Sequence, residues 1–422
     1  MRYHRWLVVT QYYAPEPGAP QIRLRELVLG LRRHGGDVQV LTAMPNYPDG
    51  VIQDGYRGRR VLDEMRDGVP VRRLWLYAAG GKHTARRLTN YLTFTAHALT
   101  HVRRARTADI VFVESQPLTL AFYGLLASRI YRIPFIYNTP DLQVEIAGER
   151  NWIGKRLVDV AARIERHLMS KALCVSTVTN GFIKHLSERT DLPPAHFTFL
   201  PNGVDTTAIT PLPYSDSYAA KMGVVGKRVF TYAGTHADYQ GLDVILDAAK
   251  LLSDQPNIVF LLAGKGPERD RLETRAKTER IANVLFRVSP FDEAAELFSI
   301  SHAFVATLRD FPVAKLMRLS KTFPPLAAGV PVIFSGHAES ADIIQSAGCG
   351  MATPPGDAVA LAQAVRTLAN NDQLRSDMSE RAVKLARNEF AWSAIIDRWL
   401  VELEEIEPVA HSSGATRSLR QS

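Results

Sequence analysis

The chain has few of the residues and runs that mark disulfide-bonded, metal-binding or membrane-spanning proteins. Its 422 residues include two cysteines, Cys174 and Cys349, which are too few for a disulfide framework and lack the spacing of a metal site. No apolar run approaches the roughly 20 residues that a membrane-spanning helix needs. The apolar stretch within MRYHRWLVVTQYY is too short for a signal peptide and is typical of a first strand. We therefore expect a cytoplasmic protein that buries both cysteines.

Several common ligand-binding motifs are also missing. No GxGxxG follows a predicted strand, because GKGPER at Gly264 has only its first two glycines, and this disfavours a nicotinamide or flavin site. There is no GxxxxGK[ST], which excludes a P-loop. No Asp-x-Asp pair and no cluster of histidines or carboxylates has the spacing of metal ligands, so we expect no metal.

The chain does have an alternation of strand and helix patterns, which is typical of parallel α/β sheets. Its length fits two domains. Residues 201–217, PNGVDTTAITPLPYSDS, interrupt the alternation, so we place an N-terminal domain at 1–205 and a C-terminal domain at 206–389. We expect residues 390–407 to form a helix that can cross back to the N-terminal domain, and residues 408–422 to form a disordered tail.

Positive charge is concentrated in the first half of the chain. Residues 1–200 contain 28 lysines and arginines against 17 acidic residues, and the remainder contains 23 against 26. Such asymmetry indicates an anionic partner, with nucleic acid and acidic lipid both allowed, although a solvated basic face also accounts for it. Residues 86–106 place Leu88, Leu92, Thr95, Leu99 and Val102 at helical spacing between arginines. This basic amphipathic helix fits either an anionic membrane or the face of a sheet.

Residues 320–333, SKTFPPLAAGVPVI, have the pattern of a short helix that leads directly into a buried strand. We expect Thr322 to cap the helix, prolines to occupy its first turn and Gly329 to end it. A second helix is expected to begin at Glu339 and Ser340. Two helix starts near strand ends favour an anionic ligand, although ordinary α/β turns explain the same spacing.

Six stretches in order carry a family resemblance. They are QYYAPEPGAPQIRLRELVLGLRRHGGDVQVLTAMPNYPDG, PNGVD, YAGTHADYQGLDVILDAAKLL, AGKGPERDRLE, SKTFPPLAAGVPVI and AESADIIQSAGCGMATPPGD. Together they resemble the GT-B glycosyltransferases of family 4, especially the branch that builds bacterial capsule, O-antigen and exopolysaccharide. The resemblance implies an α/β fold of two Rossmann-like parallel-sheet domains that face each other across a cleft.

The resemblance also implies the reaction and its partners. The C-terminal domain would bind a nucleotide-sugar donor, and the N-terminal domain would bind a glycan or lipid-linked acceptor at the inner face of the cell membrane. Transfer would retain the anomeric configuration and require no metal. The nucleotide sugar would be a substrate, so no cofactor is implied, and neither is a nucleic acid partner.

Matching motif positions imply donor-binding residues. These are Gly18, Gly234, Thr235, His236, Lys265, Gly266, Ser320 and Lys321. Residues 234–236 would hold the donor diphosphate, and residues 265–266 would lie beside the base. Lys321 would balance the charge that grows on the departing diphosphate. Gly18 would let the backbone approach the phosphates closely. A turn glycine, a solvated loop lysine and a surface lysine are the alternatives.

Three carboxylates are candidates on the acceptor side. Asp141 and Glu145, in TPDLQVE, match a family Asp-Leu-x-x-Glu in which one residue orients or deprotonates the acceptor hydroxyl. The alternative for this pair is a helix cap and a surface charge. Glu114, at the end of a strand, is a further candidate.

Two positions depart from the family. Leu316 and Pro324 stand where relatives carry glutamates, the second of which grips the donor ribose. The change leaves open an unusual donor, ribose contacts from another residue such as Glu339, or lost catalysis. The last case predicts a catalytically impaired subunit that binds or stabilises a partner transferase. An epimerase or phosphorylase of similar architecture is a third reading.

Overall fold

The computed structural model describes residues 2–16, 18–47, 49–79, 84–149 and 154–406, and these form two compact units. The first unit runs to Thr177 and also includes Ser187–Thr198 and the chain from Trp399. The second unit contains Val178–Leu186 and Phe199–Arg398. The main part of the second unit therefore begins just before the proline-rich stretch 201–217. The tail expected at 408–422 lies outside the described residues.

The larger sheet has eight strands. They are, in chain order, β1 (Arg5–Val9), β2 (Asp37–Ala43), β3 (Val61–Arg66), β4 (Val69–Leu74), β5 (Ile110–Glu114), β6 (Phe135–Thr139), β7 (Cys174–Thr177) and β8 (Phe197–Phe199). Across the sheet they lie in the order β3-β4-β2-β1-β5-β6-β7-β8. The neighbouring pairs β4-β2, β2-β1, β1-β5, β5-β6 and β6-β7 are parallel, as the alternating pattern predicts.

The smaller sheet has six strands and belongs to the second unit. They are β9 (Arg228–Ala233), β10 (Ile258–Ala263), β11 (Val284–Arg287), β12 (Ser301–Thr307), β13 (Val332–Ser335) and β14 (Gly350–Thr353). Their order is β11-β10-β9-β12-β13-β14, and all of these pairs are parallel. The order changes direction at β9 and β12, so the carboxyl ends of the central strands lie where a doubly wound sheet binds its ligands.

Helices connect these strands. They are α1 (Ala19–Arg33), α2 (Thr84–Thr100), α3 (Ala121–Tyr131), α4 (Gln143–Glu149), α5 (Lys155–Lys171), α6 (Asn180–Thr190), α7 (Asp216–Met222), α8 (Asp243–Leu251), α9 (Arg269–Thr278), α10 (Ala294–Ser299), α11 (Phe323–Ala327), α12 (Glu339–Ser346), α13 (Ala358–Ala369), α14 (Asp372–Leu385) and α15 (Trp392–Glu405). Each confirms a helical pattern or fills a connection between two strands.

Both faces of the smaller sheet are covered, because alternate side chains of β9 enter different cores. Phe230 and Tyr232 pack with α8 and α13. Val229 points the other way and packs with Tyr218 and Met222 of α7. Burial on both faces explains why these strands are almost continuously apolar. The expected burial of Cys174 and Cys349 is also confirmed.

The C-terminal helix α15 contributes to the core of the first unit. Trp399 is fully buried against Trp6 and Phe112. Its indole Nε1 donates to the Ser176 Oγ at 3.0 Å and to the Thr198 Oγ1 at 3.1 Å. The buried N–H of this large side chain is therefore satisfied.

Three local expectations were wrong. Strand β3 was missed because its alternating, charge-rich sequence VLDEMR lacks an apolar run, and it pairs antiparallel with β4 as the outer strand of the sheet. Thr322 does not cap α11, because its hydroxyl donates to the Leu319 carbonyl at 2.7 Å. The helix expected across 86–106 ends at Thr100, and Val102–Thr107 forms 3-10 turns.

Candidate functional site

Two loops of the second unit lie side by side at the carboxyl end of its sheet. Ala233 of β9 is in register with Ala263 of β10, so residues 234–236 and 264–266 leave neighbouring strands together. A Cβ on Gly264 would lie 2.0 Å from the Gly234 carbonyl oxygen. A Cβ on Gly266 would lie 2.4 Å from the His236 carbonyl oxygen. Glycine is therefore required at both positions for the loops to approach this closely.

His236 lies inside this pair of loops. Its backbone amide donates to the Lys265 carbonyl at 2.8 Å. The ring is fully buried near Tyr232 and Phe286, and neither ring nitrogen has a hydrogen-bond partner within the described chain. Burial lowers the pKa of His236 to about 4, so the imidazole is neutral at pH 7. It therefore brings no charge to the site.

Lys321 points at the same loops. Its Nζ donates to the Tyr232 hydroxyl at 2.9 Å and to the Gln240 Oε1 at 2.6 Å. A Cβ on Gly234 would lie 3.2 Å from this Nζ, so the ammonium group and the glycine are neighbours. Burial lowers the pKa of Lys321 to about 7. No carboxylate among the described residues forms an ion pair with it, so an anionic ligand would supply the missing counter-charge.

Ser320 opens the 3-10 turn that carries Lys321 into α11. The chain just before this turn is attached to the start of α12. The Glu339 amide donates to the Met317 carbonyl at 3.0 Å, and the Ser340 hydroxyl accepts the Leu319 amide at 2.7 Å. These contacts fix the direction in which the Lys321 side chain leaves the backbone.

The Glu339 carboxylate is engaged by Arg318. The Arg318 Nη2 donates to the Glu339 Oε1, and its guanidinium lies 4.9 Å from the centre of the Phe199 ring. The second carboxylate oxygen, Oε2, is buried and has no hydrogen-bond partner within the described chain. Glu339 can therefore accept a hydrogen bond from a ligand through one oxygen only.

The two positions that depart from the family pattern carry no replacement carboxylate. Leu316 packs against Gly181, and its carbonyl accepts the Thr179 hydroxyl at 2.8 Å. Pro324 occupies the first turn of α11, where a missing amide costs nothing. Neither position therefore supplies a carboxylate to a ligand.

In the first unit, Gly18 immediately precedes α1. Its carbonyl accepts the Ile22 amide at 3.1 Å. A Cβ on Gly18 would lie 2.4 Å from the Gln21 Oε1, so the side chain of Gln21 covers the space that a larger residue would need. The turn is therefore tight, and it has room for a glycine without displacement of the Gln21 side chain.

Glu114, the candidate at the end of β5, is neutralised inside the protein. The Arg23 Nη2 donates to both of its carboxylate oxygens, at 2.6 and 2.7 Å, and the Asn138 Nδ2 donates to Oε2 at 2.6 Å. All three side chains are buried. The sequence reasoning missed Arg23 and Asn138, because partners this far apart in the chain leave no local pattern. Glu114 is therefore suited to position its neighbours rather than to accept a proton from a substrate.

Asp141 and Glu145 have different surroundings in the structure. Asp141 has surface accessible to solvent and accepts the Gln116 Nε2 at 2.5 Å, while removal of water from around its carboxyl by nearby protein atoms raises the pKa of that group. Glu145, on α4, forms an ion pair with Arg189 at 3.0 Å, and Arg189 also pairs with the buried Glu165. Asp141 is therefore the carboxylate that can meet a substrate, whereas Glu145 is held in a network.

The described part of the chain has neither a candidate metal cluster nor a candidate membrane-spanning helix. No three histidine, cysteine, aspartate or glutamate side chains in it come together in a way that could hold a metal ion. None of its helices is both long and apolar enough to cross a membrane.

Family models match two consecutive parts of the chain. A model described as a glycosyl transferase 4-like domain matches residues 18–203, and one described as glycosyl transferases group 1 matches residues 218–385. The first match begins at Gly18, and the second contains the loops around His236 and Lys321.

Individual proteins agree with these models. The putative colanic acid biosynthesis glycosyl transferase WcaI of Escherichia coli (strain K12) is 24% identical over 287 residues, which are 65% of this chain and 69% of that protein. Sucrose-phosphate synthase from Thermosynechococcus elongatus has a TM-score of 0.73 at 15% identity, covering 95% of this chain and 98% of its own. Anabaena HepE, solved with UDP and glucose, has a TM-score of 0.69 at 17% identity, covering 95% and 99%. The two solved structures share the fold.

Proposed function

The chain belongs to the GT-B glycosyltransferases, with a 4-like domain followed by a group 1 domain, and we propose that it moves a sugar from a nucleotide diphosphate to a lipid-linked glycan with retention of configuration. The relative WcaI is named for colanic acid biosynthesis, which supports surface polysaccharide as the product. HepE was solved with UDP, which makes UDP-sugars the first donors to test.

The observation that carries this proposal is the environment of Lys321. A lysine whose only hydrogen-bond acceptors among the described residues are the neutral Tyr232 and Gln240 can take up a doubly charged diphosphate. The charge on that diphosphate grows as the glycosidic bond breaks, so a fixed cation stabilises the transition state more than the ground state. The Gly234 and His236 amides already donate to the Ala263 and Lys265 carbonyls, so the ammonium group is the main source of positive charge at this loop. We propose that Lys321 supplies the charge balance without a metal ion.

A panel of UDP- and GDP-sugars with lipid-linked acceptors tests the proposal. We expect turnover that a metal chelator leaves unchanged and a product with the anomeric configuration of the donor, read by NMR. Inverted configuration would overturn retention, and loss of turnover with chelator would overturn metal independence. A prior thermal-shift screen selects the nucleotide, because a ligand at 100 times its Kd adds about 2.7 kcal/mol of stability.

The missing carboxylates at Leu316 and Pro324 favour a second candidate, a catalytically impaired subunit that stabilises a partner transferase. The two candidates differ in donor binding. Heat released on nucleotide-sugar binding in calorimetry together with turnover supports the enzyme. No heat and no turnover with the whole panel would support the subunit.

Asp141 is our candidate for orienting or deprotonating the acceptor hydroxyl, since it is exposed and its partner Gln116 carries no charge. We expect Asp141→Asn to reduce kcat by about 10²-fold or more, the usual contribution of a positioned base. The donor KM should not change. Glu145→Gln is the matched control, because Glu145 is already paired with Arg189 and should affect stability rather than kcat. Equal kcat losses in the two variants would contradict the assignment.

Helix α2 supports a peripheral membrane location. Its buried side is formed by Asn90, Phe94, Thr95 and Ala98, so only part of the predicted apolar stripe is turned inward. Leu88 and Leu92 are 53% and 47% exposed. Arg86 is exposed on the same helix. We propose that this face lies on an anionic membrane, where leucines enter the interface and arginines meet lipid phosphates.

A double variant measures the membrane contribution. We expect Leu88→Ser with Leu92→Ser to lower partitioning onto vesicles containing anionic lipid by about tenfold or more, since burying each leucine contributes roughly 1.5–3 kcal/mol. Binding should also weaken with salt. The matched control is Leu251→Ser with Val359→Ser, which removes two exposed apolar side chains from the second unit. Equal vesicle binding by the two double variants would contradict a membrane role for α2.

A further inference from the structure

Glu16 is a buried carboxylate that the mechanism above does not use. It lies between β1 and α1, and only 4% of the residue is exposed. Its Oε1 accepts the Asn46 amide at 2.7 Å and the Tyr47 amide at 2.8 Å. Its Oε2 accepts the Tyr13 amide at 3.2 Å. None of these three amides has another partner within the described residues, so one carboxylate satisfies them all.

These amides belong to two different loops. Tyr13 is in the loop that follows β1 and leads to Gly18, whereas Asn46 and Tyr47 are in the loop that follows β2. Because β1 and β2 are neighbouring parallel strands, the two loops leave the same edge of the sheet. Glu16 is thus an acceptor that joins them at the point where the chain turns into α1.

Hydrogen bonds from β4, the neighbour of β2, form a second link between the same connections. Arg73 of β4 donates to the carbonyls of Ala14, in the first loop, and Ala43, the last residue of β2 before the second loop. Arg73 in turn pairs with Glu64 of β3. The carbonyls of the two connections are therefore bound by Arg73, which is always charged, and the amides are bound by Glu16. Only the hydrogen bonds to Glu16 depend on a group that can lose its charge near neutral pH.

We propose that Glu16 is a positioning residue that holds the Gly18 loop in its working shape when its carboxylate is ionised, and releases the Tyr13 end of that loop when protonated. A protonated carboxyl carries hydrogen on one oxygen, which becomes a donor and a much weaker acceptor of an amide N–H than a carboxylate oxygen. The bond to Tyr13 is the one that would be lost, because Oε1 already accepts the other two amides.

Glu16 is expected to change its charge near neutral pH. Burial raises the pKa of Glu16 to about 7, although its three backbone hydrogen bonds and the nearby Arg73 oppose this shift. The other titratable group that acts on it is the Tyr12 hydroxyl, whose pKa burial raises further above the neutral range. Tyr47, beside the second loop, contacts Tyr12 edge to face. Glu16 is therefore the group in this cluster that changes charge between pH 6 and 8.

The importance of this loop for transfer rests on the proposed function and on the role near the donor phosphates that the family resemblance implies for Gly18. The hydrogen bonds themselves do not rest on it. Amide hydrogen exchange therefore tests the loop contact, and donor kinetics test its consequence.

The exchange experiment compares peptides that cover Tyr13 and residues 46–47 at pH 6 and pH 8, corrected for intrinsic exchange rates. In the unmodified protein we expect protection of the Tyr13 amide to fall about tenfold at pH 6, because the ionised fraction of a group with a pKa near 7 falls by that factor. Glu16→Gln should show the low protection at both pH values, and the exposed control Glu188→Gln should behave like the unmodified protein.

The kinetic experiment measures kcat/KM for the donor over the same range. The unmodified enzyme should lose about tenfold between pH 8 and pH 6 through Glu16, and Glu16→Gln should lose that acid limb. Protection of Tyr13 that does not change with pH in the unmodified protein would overturn the proposal, even if the variant fails to fold. Normal exchange behaviour with no turnover for any donor would instead overturn the proposed function alone.

Discussion

Replacing Lys321 by methionine should reduce sugar transfer by about 10²–10³-fold, the loss typical of removing one fixed group that stabilises developing negative charge. Methionine matches the lysine stem in length and removes only the ammonium group, so the contacts with Tyr232 and Gln240 are lost without a large cavity. The rate should fall because the departing diphosphate loses the ammonium group that lies beside Gly234.

The same substitution should stabilise the fold at neutral pH. Burial lowers the pKa of Lys321 to about 7, below the ordinary lysine value of about 10.4. Between these values the unfolded chain binds a proton that the folded chain does not, so stability of the unmodified protein rises with pH through this window. Below pH 7 the folded protein carries the full cost of the buried charge.

Activity and stability are therefore expected to change in opposite directions. Urea unfolding at pH 6.5 and pH 9.5 should show Lys321→Met more stable than the unmodified protein at the lower pH, with a smaller difference at the higher pH. Lys315→Met, a change at an exposed lysine in a neighbouring turn, is the control and should alter neither property. Full transfer activity in Lys321→Met would remove the basis of the proposed charge balance.

Arg23→Met should lower the free energy of unfolding by about 3–5 kcal/mol, the usual effect of leaving one member of a buried ion pair without its partner. Arg23 donates to both oxygens of Glu114, and the remaining neighbour, Asn138, can satisfy only one of them. Urea denaturation at pH 7 measures the change. A loss below about 1 kcal/mol would indicate that Glu114 takes up a proton or finds another partner at little cost.

The double variant Arg23→Met with Glu114→Gln separates the structural role of Glu114 from a chemical one. It removes both charges and keeps an amide that can pair with Asn138, so much of the lost stability should return. If Glu114 only positions its neighbours, this double variant should retain transfer activity. Recovery of stability without recovery of activity would instead assign Glu114 a part in the reaction.

Regular elements could be predicted because they depend on local pattern. Apolar runs such as VFTYAG at β9 and IVFLLA at β10, each followed by a glycine-containing loop, were sufficient to predict strands and the turns after them. β3 was missed because an outer strand with alternating exposure needs no apolar run. The sequence left open whether the apolar stripe of α2 packs on a sheet or lies on a membrane, and in the structure Thr95 is the one buried member of that stripe within α2, beside Asn90, Phe94 and Ala98.

The sequence alone was enough to determine the alternation of strands and helices, the order of the family motifs and the positions where glycine is needed. Only the tertiary structure decided which charged groups are free to react. Lys321 meets Tyr232 and Gln240 from 89 and 81 residues away, and Arg23 meets Glu114 from 91 residues away. Charge state depends on burial and on such distant partners, because removal of water and nearby charges set the energy of an ionised group.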